Sequence, residues 1–374
     1  MPALTGVRFI AALGVVLLHY CALVDAPAWL WAILTHGRAG VSFFFVLSGF
    51  ILTYNYRDWF TEPPRWAAYR AFGRARFARV YPMYLVALLI ASPAALVAMY
   101  HDIEWFASVS PTQALVSWIC NLTTLQVYIP LRSFVQLWNG PAWSICCEFF
   151  FYAVLPFFLA FAARRLRTLN GILVAILVLY AAEFLLWVSA SLLFIRLDNR
   201  DLIFYFAYIS PFFRVWEFLI GACLALVYLD HPPRWLQQRR NRDLLLAASL
   251  LMVVVVIIGT EYHLVGNLSY YVAFTPWFAL IILGLASGPT MLTGWLSSGP
   301  MVLLGEASYS LYLIHSTPAF IVRLVYGKEA APGWLVALVA IFCVVASVAT
   351  LKLIEVPARR MLRGPGREPK GSGQ

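Results

Sequence analysis

Charged side chains are scarce in this sequence. Asp, Glu, Lys and Arg make up 12% of its 374 residues, whereas hydrophobic side chains make up 62%. A soluble chain carries roughly 25% charged residues, so too few charges are present to cover a globular surface in water. This scarcity excludes a cytosolic enzyme, a secreted domain and a disordered binding segment. We expect an integral membrane protein whose surroundings are the lipid bilayer.

Three other features are missing. The apolar runs are continuous, so the alternation of apolar and polar residues that marks a membrane β-barrel does not occur. The six cysteines have no zinc or redox spacing and are interpreted as small hydrophobic side chains, and we expect neither a metal site nor a permanently bound cofactor. No basic segment precedes the first apolar run, which indicates an uncleaved helix. The predicted fold is an all-α polytopic membrane protein.

Apolar runs of about 20 residues locate ten candidate membrane spans. They cover residues 4–24, 39–57, 80–100, 143–163, 171–193, 209–229, 244–260, 271–287, 301–325 and 333–354. An eleventh run at 112–130 is shorter and contains polar side chains, among them Asn121 and Gln126. Whether it crosses the membrane depends on the distribution of charge.

Arginine and lysine are concentrated in alternate loops. The segments 57–79, 164–167, 234–242 and 359–370 hold 18 of them, and the remaining loops hold 5. Such an excess marks the cytoplasmic side, so the formal charge of +10 reflects topology and does not indicate nucleic acid. A further crossing between 112 and 142 would place the later clusters outside.

We therefore predict ten spans with both termini cytoplasmic. The region 112–142 is expected to be a re-entrant or interfacial element. Residues 1–360 are predicted to form a single transmembrane domain, and residues 361–374 a short disordered cytoplasmic tail.

The first span carries two ionisable residues, Arg8 and His19. Their spacing corresponds to three helical turns plus about 20°, which places both on one helix face about 16 Å apart. Ionisable side chains inside a bilayer are functional candidates, because each is costly to insert. The alternative is an arginine that extends to the membrane surface and a histidine that is hydrogen-bonded to a neighbouring helix.

Small and basic residues form a second set of candidates. Ser48 and Gly49 in the second span permit close approach of the backbone, either to another helix or to a ligand. Arg76 and Arg79 would share one face of a helix and could bind phosphate oxygens bidentately. Their cytoplasmic position is equally explained by the topology signal.

Acidic residues within the spans require partners. Glu148 lies near the outer end of the fourth span and needs either a partner or a proton. Arg214 and Glu217 are three residues apart in the sixth span, and the simplest interpretation is that they neutralise each other.

Together these residues resemble the signatures of acyltransferase family 3, membrane-bound acyltransferases that modify hydroxyl groups of sugars and related acceptors. The motifs that carry the resemblance are Arg8-x10-His19, Phe44-Phe45-x-x-Ser48-Gly49-Phe50, Arg76-x-x-Arg79, Trp143-Ser144-x3-Glu148-x3-Tyr152, Ser308-Tyr309-Ser310-Leu311-Tyr312-Leu313-x-His315 and Glu355-x-Pro357-x-Arg359. They follow the family's order over most of the chain. One departure is Ile145-Cys146-Cys147, where bulkier aliphatic residues are more usual.

The resemblance implies a membrane O-acyltransferase of the bacterial cytoplasmic membrane. Such an enzyme moves an acetyl or other short acyl group from cytoplasmic acyl-CoA, as co-substrate, to a hydroxyl of a glycan or other small acceptor. His19 would be the general base, and Glu148 would either orient it or bind the acceptor. The expected donor-binding residues are Arg8, Arg76 and Arg79. The expected pocket residues are Phe44, Ser48, Trp143, Ser144, Tyr152 and His315.

One alternative remains at the level of sequence. The protein could be a proton-coupled transporter whose relay consists of Arg8, His19, Glu148, Glu217 and His315. It could also be an acyl or glycan carrier without transferase chemistry. The absence of a visible inverted half-repeat counts against the transporter.

Overall fold

The computed structural model describes residues 1–61, 66–196, 202, 204–261, 271–327 and 329–363, and no β-strand occurs among them. Backbone polar groups must be satisfied within the segment when no water is available, which is why these apolar runs are helical. The α-helices are α1 (Pro2–Cys21), α2 (Ala28–Leu34), α3 (Gly40–Tyr56), α4 (Trp66–Tyr100), α5 (Pro111–Leu122), α6 (Arg132–Val135), α7 (Trp143–Arg165), α8 (Leu169–Arg196), α9 (Pro211–Asp230), α10 (Arg239–Glu261), α11 (Thr275–Ala286), α12 (Thr293–Leu296), α13 (Gly299–Ile314), α14 (Ser316–Tyr326), α15 (Gly333–Thr350) and α16 (Val356–Arg363).

Within the described ranges, eight helical segments are long and apolar enough to cross a membrane. They contain α1, α3, α4, α7, α8, α9, α10 and α15. The other two predicted spans are also helical: 271–287 contains α11, and 301–325 overlaps α13 and α14, which are separated at His315. The all-α polytopic fold is confirmed.

Two boundaries differ from the sequence prediction. Helix α4 begins at Trp66 and has 35 residues, so residues 66–79, which carry four of the arginines ahead of residue 80, are helical and not a loop. At about 52 Å it is longer than a bilayer core of about 30 Å. At the other end of the chain, α16 continues to Arg363, and residues 364–374 of the predicted tail lie outside the described residues.

The region 112–142 contains a helix that is too short to cross. Helix α5 has 12 residues, or about 18 Å, against a bilayer core of about 30 Å. Its Asn121 side chain is buried and donates a hydrogen bond to the Phe134 carbonyl oxygen at 2.9 Å. The Tyr84 hydroxyl of α4 donates to the Asn121 carbonyl oxygen at 2.6 Å. These hydrogen bonds tie the short helix to α4 and to the chain that follows it.

The arginine-rich segments meet at one end of the helix bundle. Arg57 pairs with Asp230 at 2.6 Å, and the His231 imidazole Nε2 donates to the Arg167 carbonyl oxygen at 3.1 Å. These contacts define the arginine-rich end. The opposite end is marked by the hydrogen bond from the Ala331 amide to the Leu23 carbonyl oxygen, at 2.7 Å.

Glycine allows the central helices to approach closely. A Cβ atom at Gly49 of α3 would overlap the Phe218 carbonyl oxygen of α9, and a Cβ atom at Gly221 of α9 would overlap the Val46 carbonyl oxygen. Only glycine fits at such a contact. Of the two roles considered for the Ser48-Gly49 pair, Gly49 serves helix packing.

The six cysteines are all free thiols. Five are buried and Cys120 is half-buried, which agrees with their interpretation as small hydrophobic side chains.

Candidate active site

His19 lines a cavity at the opposite end of the bundle from the arginine clusters. This space, here called the histidine cavity, has a volume of about 600 Å³, and its walls include Arg38, Trp31, Trp138 and Trp143. Concave sites of about 300–1,000 Å³ with mainly apolar walls and a few polar groups are typical of small-molecule binding. His19 is half-buried, so its imidazole is partly accessible from the cavity.

A second histidine orients His19. The Nδ1 atom of His19 lies 2.8 Å from the Val15 carbonyl oxygen and 3.3 Å from the Nε2 atom of His315. A carbonyl oxygen can only accept, so in the neutral imidazole Nδ1 of His19 carries the hydrogen. Both contacts are therefore made by Nδ1, and Nε2 of His19 is the nitrogen that remains for a substrate.

His315 is fixed in turn by the last turn of α13. It is fully buried, and its Nδ1 atom lies 2.8 Å from the Tyr312 carbonyl oxygen and 3.3 Å from that of Leu311. Nδ1 of His315 is consequently the donor, and its Nε2 accepts from His19. The break between α13 and α14 at this residue places the imidazole against α1.

A second, smaller space lies beside the cavity. It has a volume of about 40 Å³ and is here called the arginine pocket, because Arg8 lines it together with Glu148, Phe44 and Ser144. Arg8 and His19 thus lie on one helix and line different spaces.

Glu148 does not contact His19. Its carboxylate accepts a hydrogen bond from the Tyr152 hydroxyl, one helical turn along α7. Of the two roles considered for Glu148, the orientation of His19 is instead provided by Val15 and His315. Glu148 lies on the same side of the site as Arg8.

The Arg76 and Arg79 side chains already have partners. Arg79 forms an ion pair with Glu355, a buried carboxylate that also accepts from Ser310 at 3.1 Å. The Arg76 guanidinium donates to the Tyr56 hydroxyl at 3.1 Å and lies over the same ring at 5.3 Å from its centroid. Its Nε atom is buried without a hydrogen-bond partner.

A buried ionic group lies between α3, α8, α9 and α11. Arg214 pairs with Glu217 at 3.2 Å, which confirms the predicted pair, and donates to Ser42 at 3.0 Å. Glu183 accepts from Thr275 at 3.4 Å. All three ionisable residues are at most 4% exposed, so two carboxyl groups and one guanidinium lie in an apolar environment, and the guanidinium is paired with Glu217.

Of the remaining predicted pocket residues, Trp143 lines the histidine cavity, whereas Ser48 lines neither space. The sequence analysis did not select Tyr312, Arg38 or Glu183 as site residues. Tyr312 lies three residues before His315, and Glu183 is an acidic residue inside a predicted span, so both had a signal. Arg38 had none, because only the fold brings its segment to the cavity.

Comparison with known proteins gives consistent results. The family described as an acyltransferase domain matches residues 1–352. Acyltransferase MdmB of Streptomyces mycarofaciens is 34% identical over 165 residues, which cover 42% of this chain and 38% of the relative. O-acetyltransferase OatA of Staphylococcus aureus is 24% identical over 380 residues, which cover 96% of this chain and 57% of the relative.

The chain therefore spans less than two thirds of the length of each of these curated relatives. No solved structure matches it at a significant level. The family match extends from the first residue through α15 and so includes both histidines of the site. By that match, this protein belongs to acyltransferase family 3, the family that its motifs resemble.

Proposed function

We propose that this protein is an O-acyltransferase that moves an acetyl or other short acyl group from a thioester such as acyl-CoA to a hydroxyl of a glycan or other small acceptor. One observation carries the proposal: His19 offers Nε2 to the histidine cavity, while Arg8 of the same helix lines the adjoining arginine pocket. The relative named O-acetyltransferase supports acetyl as the group and oxygen as its acceptor.

In the proposed reaction His19 is the general base. The acceptor hydroxyl donates to Nε2 of His19, and its oxygen attacks the thioester carbonyl carbon as Nε2 takes the proton. The carbon–sulfur bond then breaks, and the proton moves from Nε2 to the departing thiolate. The products are an ester and a free thiol.

His315 keeps the base in position during this cycle. The Nδ1–H group of His19 stays bonded to the Val15 oxygen and to Nε2 of His315. These acceptors hold the ring and favour the imidazolium, as the orienting member of a catalytic triad does. His315 is therefore a positioning residue.

The donor is proposed to enter from the arginine-rich end. Acyl-CoA carries phosphate groups on a long flexible arm, and arginine is well suited to phosphate. Arg8 lines the arginine pocket, and Arg76 and Arg79 lie on α4. No permanently bound cofactor is part of this proposal, and the donor is a co-substrate.

The proposed location is the bacterial cytoplasmic membrane, with both termini in the cytoplasm. The gathering of arginine-rich segments at one end supports this orientation, because cytoplasmic segments carry the excess of positive charge. The histidine cavity then opens towards the outside, where surface glycans lie.

The test is transfer by purified protein in lipid nanodiscs. Acetyl-CoA labelled in its acetyl group is incubated with a glycan fraction extracted from the host membranes, and the product is identified by mass spectrometry. We expect the unmodified protein to form a labelled ester, and His19→Ala to form it at a rate about 10²–10⁴-fold lower. His101→Ala is the matched control, because His101 is exposed in the turn after α4.

Two outcomes would contradict the proposal. The first is that no labelled ester forms although the protein binds acetyl-CoA. The second is uptake of a solute into vesicles without any acyl transfer, which would favour a transporter.

A further inference from the structure

The histidine cavity and the arginine pocket share two lining residues, Val41 and Tyr312. Both side chains are buried. Val41 belongs to α3 and Tyr312 to α13, so two helices build the wall between the spaces. A group that passes from the pocket to the cavity has to pass these two side chains.

Hydrogen bonds hold Tyr312 in this wall. Its hydroxyl donates to the Pro141 carbonyl oxygen at 3.0 Å and accepts from the Ser144 hydroxyl at 2.8 Å. Its ring lies edge-on to that of Phe44, with 6.3 Å between the centroids. Because Pro141 lies in the turn directly before α7 and Ser144 in the first turn of α7, the ring can move aside only by breaking contacts with another part of the bundle.

The backbone of Tyr312 is joined to the histidine pair. Its carbonyl oxygen accepts from Nδ1 of His315 at 2.8 Å, and Nε2 of His315 accepts from His19. One residue therefore forms part of the wall and also supports the residue that positions the proposed base.

We propose that Tyr312 is a gate between the donor and acceptor spaces. This inference rests on the proposed function. The closed ring keeps water in the histidine cavity away from the thioester. When the ring moves aside, the gap between it and Val41 admits only short acyl groups to His19. Tyr312 is thereby a specificity-determining residue for the acyl group.

The gate predicts a measurable side reaction. When it is loosened, a water oxygen attacks the thioester carbonyl carbon, the carbon–sulfur bond breaks, and the products are a carboxylic acid and a free thiol. Tyr312→Phe keeps the ring and removes both hydroxyl contacts. Since one hydrogen bond is worth about a factor of five, we expect the ratio of hydrolysis to transfer to rise at least about fivefold.

The experiment compares purified variants in nanodiscs with acetyl-CoA and butyryl-CoA. Hydrolysis is followed as thiol release without acceptor, and transfer as labelled ester with the host glycan fraction. Tyr84→Phe is the matched control, because Tyr84 is equally buried, donates to a carbonyl oxygen at 2.6 Å and lines neither space. A merely structural loss would lower hydrolysis and transfer together.

A second variant opens the wall from α3. Val41→Ala removes two methyl groups opposite Tyr312, and we expect it to raise use of butyryl-CoA relative to acetyl-CoA without removing the tyrosine contacts. It also covers the case in which Tyr312→Phe fails to fold.

The gate is overturned if both variants keep the hydrolysis ratio and acyl preference of the unmodified chain, or if Tyr84→Phe changes them equally. If the unmodified chain transfers acetyl groups and both variants have its hydrolysis ratio and acyl preference, only the gate is contradicted. An unmodified chain with neither transfer nor hydrolysis contradicts the proposed function as well.

Discussion

The Nδ1 atom of His19 lies 3.3 Å from the Nε2 atom of His315, although the residues are 296 positions apart in the chain. The two rings meet edge-on, with 5.0 Å between their centroids. Both ring nitrogens of His315 have partners, because its Nδ1 donates to backbone carbonyls and its Nε2 accepts from His19. The first helix thus supplies the candidate base, and the thirteenth helix sets its orientation.

The histidine pair predicts unequal effects of substitution. His19→Ala should lower the rate of acyl transfer about 10²–10⁴-fold, because the base is lost. His315→Ala should lower it about fivefold, because Nδ1 of His19 keeps the Val15 oxygen and loses one hydrogen bond. His315→Gln should recover part of the loss, since its amide oxygen can accept from Nδ1. The measurements are kcat and donor KM in nanodiscs.

An effect of His315→Ala as large as that of His19→Ala would contradict a positioning role. A change confined to donor KM would also contradict it, since orientation of the base acts on the chemical step.

The Arg79–Glu355 pair predicts a loss of stability on substitution of the arginine. Arg79→Gln leaves a buried carboxylate without its partner, which should cost about 3 kcal/mol. The double variant Arg79→Gln/Glu355→Gln should recover most of this loss, because no uncompensated charge remains. Thermal unfolding in detergent measures both variants.

The same double variant separates stability from donor binding. If Arg79 also binds donor phosphate, the double variant should have a raised KM for acetyl-CoA and an unchanged KM for acetyl-pantetheine, which lacks the phosphates. Arg79→Lys should retain the ion pair and recover donor binding only in part, because lysine lacks the planar fork. Equal changes in KM for both donors would limit Arg79 to its ion pair.

The buried ionic group predicts different effects for substitution of its arginine and of Glu183. Arg214→Leu should lower the free energy of unfolding by about 3–5 kcal/mol, because Glu217 keeps its charge in an apolar environment without a partner. Glu183→Gln should be tolerated, since its amide oxygen can still accept from Thr275. Thermal unfolding of both variants at matched expression checks this. An Arg214→Leu protein as stable as the parent would show that the pair contributes nothing net.

The topology predicts which surface residues a membrane-impermeant thiol reagent reaches. Arg165→Cys and Arg239→Cys are exposed at the arginine-rich end and should stay unlabelled in intact cells until the membrane is opened. Glu329→Cys, exposed at the opposite end, should react from outside and is the matched control. Cys120→Ser serves as the background, because the other native cysteines are buried. Labelling of position 165 or 239 from outside would reverse the proposed orientation.

Hydropathy alone identified the membrane helices, because a bilayer core requires about 20 apolar residues with an internally satisfied backbone. It misplaced the start of α4, since the arginines ahead of residue 80 interrupt the apolar run and not the helix. It also gave no sign of the break at His315, which lies inside an otherwise continuous apolar segment.

The sequence by itself determined the helical membrane class and the shared face of Arg8 and His19, because both follow from local composition and a fixed helical repeat. Tertiary structure decided the long-range partners, which are His315 for His19 and Glu355 for Arg79, whereas Glu148 contacts Tyr152 within its own helix. Two of these contacts join residues more than 270 positions apart. Such pairs depend on how helices pack at glycine contacts such as Gly49 with α9, which no local pattern encodes.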